Sequence, residues 1–530
     1  MQLYRMASNQ FRRVIFKNLS QKQVTLSPCT TSSRRASASV AIENDTGSVK
    51  PFSDIPGPTG LYDLPYIGIA FNFKPFGNYD PEGMHDLVED MKTKYGDTFK
   101  MRFGRQYMVY FHHPDDIKTV FQNNDNEHRR LQPEIAAITA ERLNKPKGLP
   151  VLNGQEWFNR RKPAQEKMLR PAVVASYVPL IEKVTNDLVK ELRKKKETGD
   201  LLQELTNYTI ESVGMLCFNK RLGCLQSGDN KISDVTDHIN EMFDAVQKSV
   251  FSPTKGYMYF RTPLYKKFEK ATIGMSKVVS KEIQAQRAFL SKLKEEGRLE
   301  EYLETEPNFM YSLLADGRLT DDEVNSIVSD LFGAGIDSTA NTLVFLLGHL
   351  ALNPDKQEKL YAEIEQIVGD SEVLTKEHLA RMSYLKACLK ESMRRIHPTA
   401  FGSIRIPETD ITVGGYNIPK DSLLVLNNRS LCMDERFFPN ANEFIPERWL
   451  RNTTGELGKS REHIFAHKPF GFGPRSCVGQ RFAEVEIYIS AVKVIKNFRI
   501  SMPPGVDDIK SHIRIFTAPV DKVKMTFNQR

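Results

Sequence analysis

The sequence predicts a mainly α protein with small β-sheets, folded as a single large domain. Three observations carry this. Apolar residues recur at helical spacing through six long stretches, about 179–195, 231–249, 265–295, 321–350, 354–368 and 384–396. Strand-type runs are short and confined to residues 98–112, 411–426 and the C-terminus. After Asp54-Ile55-Pro56-Gly57-Pro58 no second linker, repeat or low-complexity stretch interrupts the chain.

Residues 1–42 hold seven Lys/Arg (Arg5, Arg12, Arg13, Lys17, Lys22, Arg34, Arg35) and no acid. Met6, Phe11, Val14, Ile15 and Leu19 fall toward one side of a helix among those cations. A basic, Ser/Thr-rich, acid-free start of this kind reads as a mitochondrial transit peptide and flexible N-terminus. No run of about 18 apolar residues lies there, so a transmembrane anchor is not expected. Residues 43–58 read as a Pro-rich linker, and 59–530 as the domain. Within it, Tyr95-Gly96-Asp97 turns into a strand at 98–103, with its hairpin partner at 106–112. Gly414-Gly415 marks the turn of a later hairpin.

The net charge of +8 belongs to the N-terminus. The remaining 67 Lys/Arg face 66 Asp/Glu, a balance that gives no warrant for nucleic-acid binding. At 40% hydrophobic and 26% charged the body is globular. Six cysteines (Cys29, Cys217, Cys224, Cys388, Cys432, Cys477) include no CxxC, so neither a disulfide framework nor a zinc site is indicated. His463 and His467 are four apart, but Pro469 follows and no third ligand is identifiable. His113 and His397 read as structural.

The most informative segment is Phe470-Gly-Phe-Gly-Pro-Arg-Ser-Cys-Val-Gly479. A Gly-rich loop presents Cys477 and runs into the apolar-periodic stretch from Phe482. A thiol before a helix N-terminus meets unpaired N–H groups and the positive end of the helix dipole, which favour thiolate. Gly473 and Gly479 allow the backbone close to a flat ligand. Arg475 can reach an anionic group at its edge. Together these residue types point to heme with a cysteine axial ligand. The segment resembles the heme-binding signature Phe-x-x-Gly-x-Arg-x-Cys-x-Gly of the cytochrome P450 family, matched by Phe470, Gly473, Arg475, Cys477 and Gly479.

Further motifs agree with the resemblance, which covers about residues 54–530. Inside the 321–350 helix, Gly333 and Gly335 each cost roughly 1 kcal/mol against alanine, so a ligand close to the backbone is expected. Ala334, Gly335 and Asp337 match the family's proton-relay motif, with Ser338 where threonine is usual and Thr339 next to it. Asp337, Ser338 and Thr339 are therefore the expected proton-handling residues. Glu391 and Arg394 share a helix face and match the family's Glu-x-x-Arg pair, with Arg448 as third partner. This implies structural support behind the heme loop. Trp157 and Arg161 match a Trp-x-x-x-Arg helix, and Arg405 the next position; the resemblance implies that they meet heme carboxylates. Lys386 and Lys390 lie one turn apart and match the lysines that receive ferredoxin in mitochondrial members.

The resemblance thus implies one cytochrome P450-type heme-binding domain over 59–530, acting as a mitochondrial heme-thiolate monooxygenase. The implied cofactor is heme b (iron protoporphyrin IX). The implied partners are O2, a ferredoxin of the adrenodoxin type with its NADPH-dependent reductase, and a lipophilic substrate. The implied location is the matrix side of the inner membrane. Pocket walls are expected from 130–152, 331–334, 399–403 and 515–518, with Ile135, Leu331, Phe401, Ile515 and Phe516 apolar. Sterols, ecdysteroid-like or vitamin-D-like compounds and xenobiotics all fit. The mix of aromatics and lysines from Phe251 to Phe268 reads as a peripheral membrane contact. Two alternatives stay open: a heme-thiolate isomerase or dehydratase needing no external electrons, and a non-enzymatic heme sensor.

Overall fold

In the computed structural model, the described residues are 49–530 other than 81–83, 124–127, 226–232, 251–254, 306–308, 372, 400–401 and 514. The expected transit peptide, 1–42, lies outside them.

Eleven of the helices frame the site. They are α1 (Met84–Tyr95), α2 (Glu134–Arg142), α3 (Gly154–Met168), α4 (Val178–Lys195), α5 (Leu201–Phe218), α6 (Ser233–Val250), α7 (Pro263–Glu295), α8 (Asp321–Leu352), α9 (Pro354–Val368), α10 (Ser383–Arg395) and α11 (Gln480–Asn497). The six helical stretches read from periodicity are α4 and α6–α10, each within a few residues of the expected ends. Strands β1 (Thr98–Phe103) and β2 (Gln106–Phe111) form the expected antiparallel hairpin. Further strands are β3 (Ser403–Arg405), β4 (Ile411–Val413), β5 (Tyr416–Ile418) and β6 (Leu423–Leu426). Strand β6 runs parallel to β2, with Met108 opposite Leu423, and antiparallel to β3, so the sheet order is β1-β2-β6-β3. Gly414 and Gly415, both at positive φ, turn β4 into β5. The C-terminal strands are β7 (Phe498–Ser501), β8 (Ser511–Ile513), β9 (Thr517–Pro519) and β10 (Met525–Gln529), with β8 paired to β9 and β7 to β10.

The Pro-rich segment expected as a linker is docked from Lys50 onward. Lys50 N–H donates to Gly415 O (3.0 Å), and Lys100 N–H donates to Pro56 O (2.9 Å).

Helix α8 is the axis of the core. Its N-terminus is a capping box: Thr320 Oγ1 accepts from Glu323 N–H, and Glu323 Oε2 accepts from Thr320 N–H (2.8 Å). Asn353-Pro354 ends it, because proline cannot continue the ladder. Long and apolar enough to span a bilayer, it packs instead against α5, α7, α10 and α11 inside the protein.

Helices α5 and α11 share a buried acid. Glu486 is fully buried, Ser212 Oγ donates to its Oε1, and Oε2 has no partner among the described residues. Burial pushes this carboxyl from 4.5 up to about 8, with the Ser212 bond opposing. Between those values the folded protein keeps a proton that the unfolded chain releases, so stability falls as pH rises through the window. Glu486→Gln keeps an oxygen for Ser212 and removes the titration. The melting temperature of the variant relative to wild type is expected to climb from about pH 5 to about pH 8 and then level off. A pH-independent difference would contradict this.

Candidate active site

The Cys477 loop is shaped by two glycines and one backbone clasp. Gly471 (φ +71°) and Gly473 (φ +74°) take the left-handed conformation that a β-carbon disfavours. Cys477 N–H donates to Phe470 O (2.8 Å), closing the loop, and Gly479 then caps α11. Gly479 itself has φ −89°, and a β-carbon there would meet only Met168 and Cys477 Sγ at ordinary contact distance. The chain's own contacts therefore require glycine at 473 but not at 479.

Cys477 is exposed, yet burial is the main influence on its thiol and raises its pKa. Both hold because the residue keeps accessible surface while protein surrounds the sulfur closely. The Gly479 and Gln480 N–H groups and Arg161 pull the other way, as the helix N-terminus predicts, but burial outweighs them. A thiolate at this position calls for a cation on its open side.

Four guanidiniums gather beside the loop, Arg161 and Arg475 buried and Arg130 and Arg405 half-buried. Arg475 donates from Nε to His128 O (2.8 Å), and from Nη2 to Leu152 O (2.8 Å) and Asn153 Oδ1 (2.7 Å). It stacks 3.7 Å over the Trp157 ring. Burial and then Arg130, Arg405 and Arg161 push it down to about 8. Arg161 donates to Ser476 O (2.6 Å) in the Cys loop and to Gln165 (2.8 Å), and burial brings it down to about 10. Arg405, 5.2 Å over the Phe121 ring, is lowered to about 10 by burial and then Arg130. None of the four forms an ion pair among the described residues. Arg475 Nη1 and Arg130 Nε are buried with no hydrogen-bond partner among the described residues. A buried cation needs an anion or it loses its charge. This cluster therefore fits a ligand carrying carboxylates, and the accessible sulfur fits its metal. The residues present fit heme.

Behind the loop, Glu391 is fully buried and accepts five hydrogen bonds. They come from Arg394 Nε (3.0 Å) and Nη2 (2.9 Å), Arg448 Nε (3.1 Å), Trp449 Nε1 (2.9 Å) and Ile445 N–H (3.0 Å). Arg394 continues to Cys432 O, Ala441 O and Glu443 O, and Arg448 to Pro439 O. Trp449 is a partner that sequence reasoning missed.

One face of α8 is open. Ala334 is exposed, and Asp330, Gly333, Asp337 and Ser338 are half-buried, whereas Phe332, Ile336, Thr339 and Ala340 are buried. The two glycines thus have different reasons. A β-carbon on Gly333 would meet nothing within 4 Å, whereas one on Gly335 would lie 3.2 Å from Val213 of α5. Gly335 serves helix packing. Ser338 Oγ donates to Ala334 O (2.7 Å) and Thr342 Oγ1 to Ser338 O (2.8 Å). Asn341 Nδ2 donates to Asp337 O (2.8 Å) and Oδ1 (3.1 Å). Thr339 points away from the open face. Thr342 instead shares a small cavity with Ser338, lined also by Phe345, Ile396, Pro398, Phe516 and Thr517.

Lys390 is exposed, and Lys386 is half-buried with Nζ donating to Ala380 O (2.6 Å). Lys468 feels Lys390, and Glu484 feels Lys390, Arg481 and Lys386. The basic surface is therefore wider than the two lysines expected. Among the expected pocket residues, Ile135 is fully buried beside Tyr257 and Phe268, and Phe516 packs edge-on against Phe243 (5.5 Å). Phe401 lies outside the described residues. His463 and His467 join no metal-ligand cluster among the described residues.

The family profile described as Cytochrome P450 matches residues 58–527. The "Probable cytochrome P450 49a1" of Drosophila melanogaster is 27% identical over 516 residues, covering 92% of this chain and 85% of that one. The mouse "1,25-dihydroxyvitamin D(3) 24-hydroxylase, mitochondrial" is 29% identical over 460 residues, covering 86% and 85%. The "Probable cytochrome P450 12a5, mitochondrial" of Drosophila melanogaster is 29% identical over 475 residues, covering 85% and 86%.

Arg394→Ala leaves the Glu391 carboxylate buried with half its cationic partners gone, at a cost of about 3–5 kcal/mol. Purified Arg394→Ala and Arg448→Ala proteins are expected to lack bound heme, read by absorbance per protein. Soluble, heme-replete Arg394→Ala protein would remove the structural role given to this network.

Proposed function

The chain belongs to the cytochrome P450 family, and from that premise we propose how its residues act as a mitochondrial heme-thiolate monooxygenase. Family membership makes it an oxidoreductase that uses heme as its cofactor. Relatives named mitochondrial support a mitochondrial location and electron delivery through a ferredoxin and its reductase. The proposed reaction inserts one oxygen atom of O2 into a C–H bond of a lipophilic substrate, sterol- or steroid-like or xenobiotic. The site is the matrix side of the inner membrane.

The observation that carries this reading is the Cys477 loop. One segment presents an accessible sulfur and, two residues earlier, a guanidinium set among three others with no carboxylate facing it. Heme has both complements, an iron for the sulfur and two carboxylates for the arginines. When bound, it supplies the electron and O2 chemistry, and a cysteine ligand favours O–O cleavage.

The chain's residues do the rest. Cys477 would hold the heme iron through its thiolate, whose negative charge Gly479 N–H, Gln480 N–H and Arg161 favour. Arg130, Arg405 and Arg475 would hold its carboxylates, and Trp157 orients Arg475 by stacking. Arg161 fixes the loop through Ser476 O. Glu391, Arg394 and Arg448 brace the segment beneath. On α8, Ser338 Oγ donates a hydrogen bond to the Ala334 carbonyl at rest, and rotation frees it to donate to a water in the cleft. Asp337 takes protons from solvent and passes them on through water, and Thr342 takes the place that the sequence suggested for Thr339. Serine lacks the methyl that fixes a threonine rotamer, and the Thr342 bond to Ser338 O steadies the turn instead.

Acidic ferredoxin docks on the surface of Lys386, Lys390, Lys468 and Arg481. Membrane contact falls to the turn Met258-Tyr259-Phe260, where Tyr259 and Phe260 are 77% and 73% exposed beside Arg261 and Lys255.

The deciding experiment reconstitutes the chain with NADPH, ferredoxin and reductase over a lipid and steroid panel. A product heavier by one oxygen atom and dependent on NADPH is expected, with a red-shifted ferrous–CO Soret band that Cys477→His abolishes. Turnover without NADPH would favour the isomerase alternative, and binding without any turnover the sensor.

Ser338→Ala is expected to keep the heme spectrum but divert NADPH into peroxide, with Thr342→Ala a milder version. Wild-type product per NADPH in Ser338→Ala would pass the relay to ordered water. Lys390→Glu with Lys468→Glu is expected to raise the ferredoxin concentration needed for half-maximal turnover at low salt. The gap should narrow as salt screens the surface within about 8–10 Å. Unaltered ferredoxin dependence at low salt would place docking elsewhere.

A further inference from the structure

The open face of α8 begins with a side chain that the proton relay does not use. Asp330 precedes Ala334 by four residues and Ser338 by eight, which sets all three on one side of the helix. The residue is half-buried, although protein surrounds its carboxyl closely. Burial pushes it from 3.8 up to about 7, against the Leu149 N–H bond and the charges of Arg130 and Arg160. Those two guanidiniums are the cations that face it, and Arg160 is already engaged with Glu323 (2.7 Å) and Lys147 O (3.0 Å). Leu149 N–H donates to Asp330 Oδ2 (2.7 Å). A β-carbon on Gly148 would fall 2.4 Å from Oδ2 and 2.7 Å from Oδ1, so the loop before α3 lies directly on the carboxyl. One N–H bond fills only part of what a carboxyl accepts. Acceptor capacity is left over, and Asp330 lies on the face of α8 whose residues are the less buried ones.

We propose that Asp330 is the polar anchor of the substrate: it hydrogen-bonds a hydroxyl of an otherwise lipophilic, elongated molecule and so sets which carbon lies at Ser338. Eight residues of α-helix rise about 12 Å, so the favoured substrate carries its hydroxyl about 12 Å from the carbon that is oxidised. With both protonation states populated near neutral pH, the carboxyl accepts from the hydroxyl or donates to it. The anchor rests on the heme-thiolate reading, which places oxidation at the Ser338 end of the face.

The test compares cholestanol with cholestane, which differ only in the hydroxyl, on the heme-loaded full chain. The readout is the equilibrium constant from the Soret shift on binding. Wild type is expected to bind the alcohol at least about tenfold more tightly, the worth of one hydrogen bond to a carboxyl. Asp330→Leu should bring the ratio close to one, with the affinity for cholestane moved less than about threefold. Asp330→Asn, which still accepts from Leu149 N–H, should keep part of the preference and guards against loss of the loop. The red-shifted ferrous–CO band is recorded for every protein, so loss of the heme reading is seen separately. Wild-type protein that has this band but binds both compounds equally, or neither, overturns the anchor. So does an Asp330→Asn or Asp330→Leu protein with the wild-type ratio.

Discussion

Arg475 sits in the interior with Arg130, Arg161 and Arg405 around it and no carboxylate facing it. Two close unit charges repel by several kcal/mol at the effective dielectric of a protein edge, and burial removes the water that would screen them. A fold that tolerates this arrangement has to be completed by an anion. The cluster draws on widely separated segments: the loop at 130, α3, β3 and the Cys477 loop. Binding one dianionic ligand would therefore tie those segments together as well as neutralise them. The same ligand answers the other oddity of the site, a thiol left accessible inside the protein with its pKa raised by burial. Thiolate and guanidiniums are each unfavourable alone, and a single cofactor with a cationic centre and anionic edges resolves both.

The Glu391 network is the counterpart on the structural side. There each charge has its partner, with one carboxylate under two guanidiniums whose further donors go to backbone carbonyls of residues 432–443 and to Ser460 Oγ. Such a network gives little net stability against an apolar core, but it is costly to interrupt. It fixes a segment that has almost no regular secondary structure between β6 and α11. The protein thus keeps its complete charges where geometry must be rigid and its incomplete ones where a ligand must enter.

The long helices were legible because burial on one side imposes a period of 3.6, and α8 adds a capping box and a proline stop that sequence displays directly. The β1–β2 hairpin and the Gly414-Gly415 turn were legible for the same reason, since local turn chemistry does not depend on distant partners. The Cys477 loop was legible as a spacing of residue types. What sequence could not display is which neighbour makes a residue necessary. Gly333 and Gly335 look alike, yet one faces open space and the other Val213. Arg130, Asn153 and Lys468 belong to none of the motifs that the sequence displays. Each takes its meaning from a contact more than 20 residues away.

Thr339 and Thr342 show how this bears on mechanism. By sequence, the hydroxyl beside Ser338 is the natural substitute for a missing threonine. On a helix, however, adjacent residues point about 100° apart, and four residues bring a side chain back to the same face. Thr339 is carried into the buried side of α8, and Thr342 is carried to the cavity that Ser338 lines. Ser338 and Thr342 bond to the carbonyls of Ala334 and Ser338 in succession, so the hydroxyls form a ladder along the open face rather than a pair across it. A ladder of this kind weakens consecutive helical hydrogen bonds by competing for their acceptors. The face that must admit water is therefore also the face whose carbonyls already have a second donor, and a small rotation of either hydroxyl exchanges that donor for solvent.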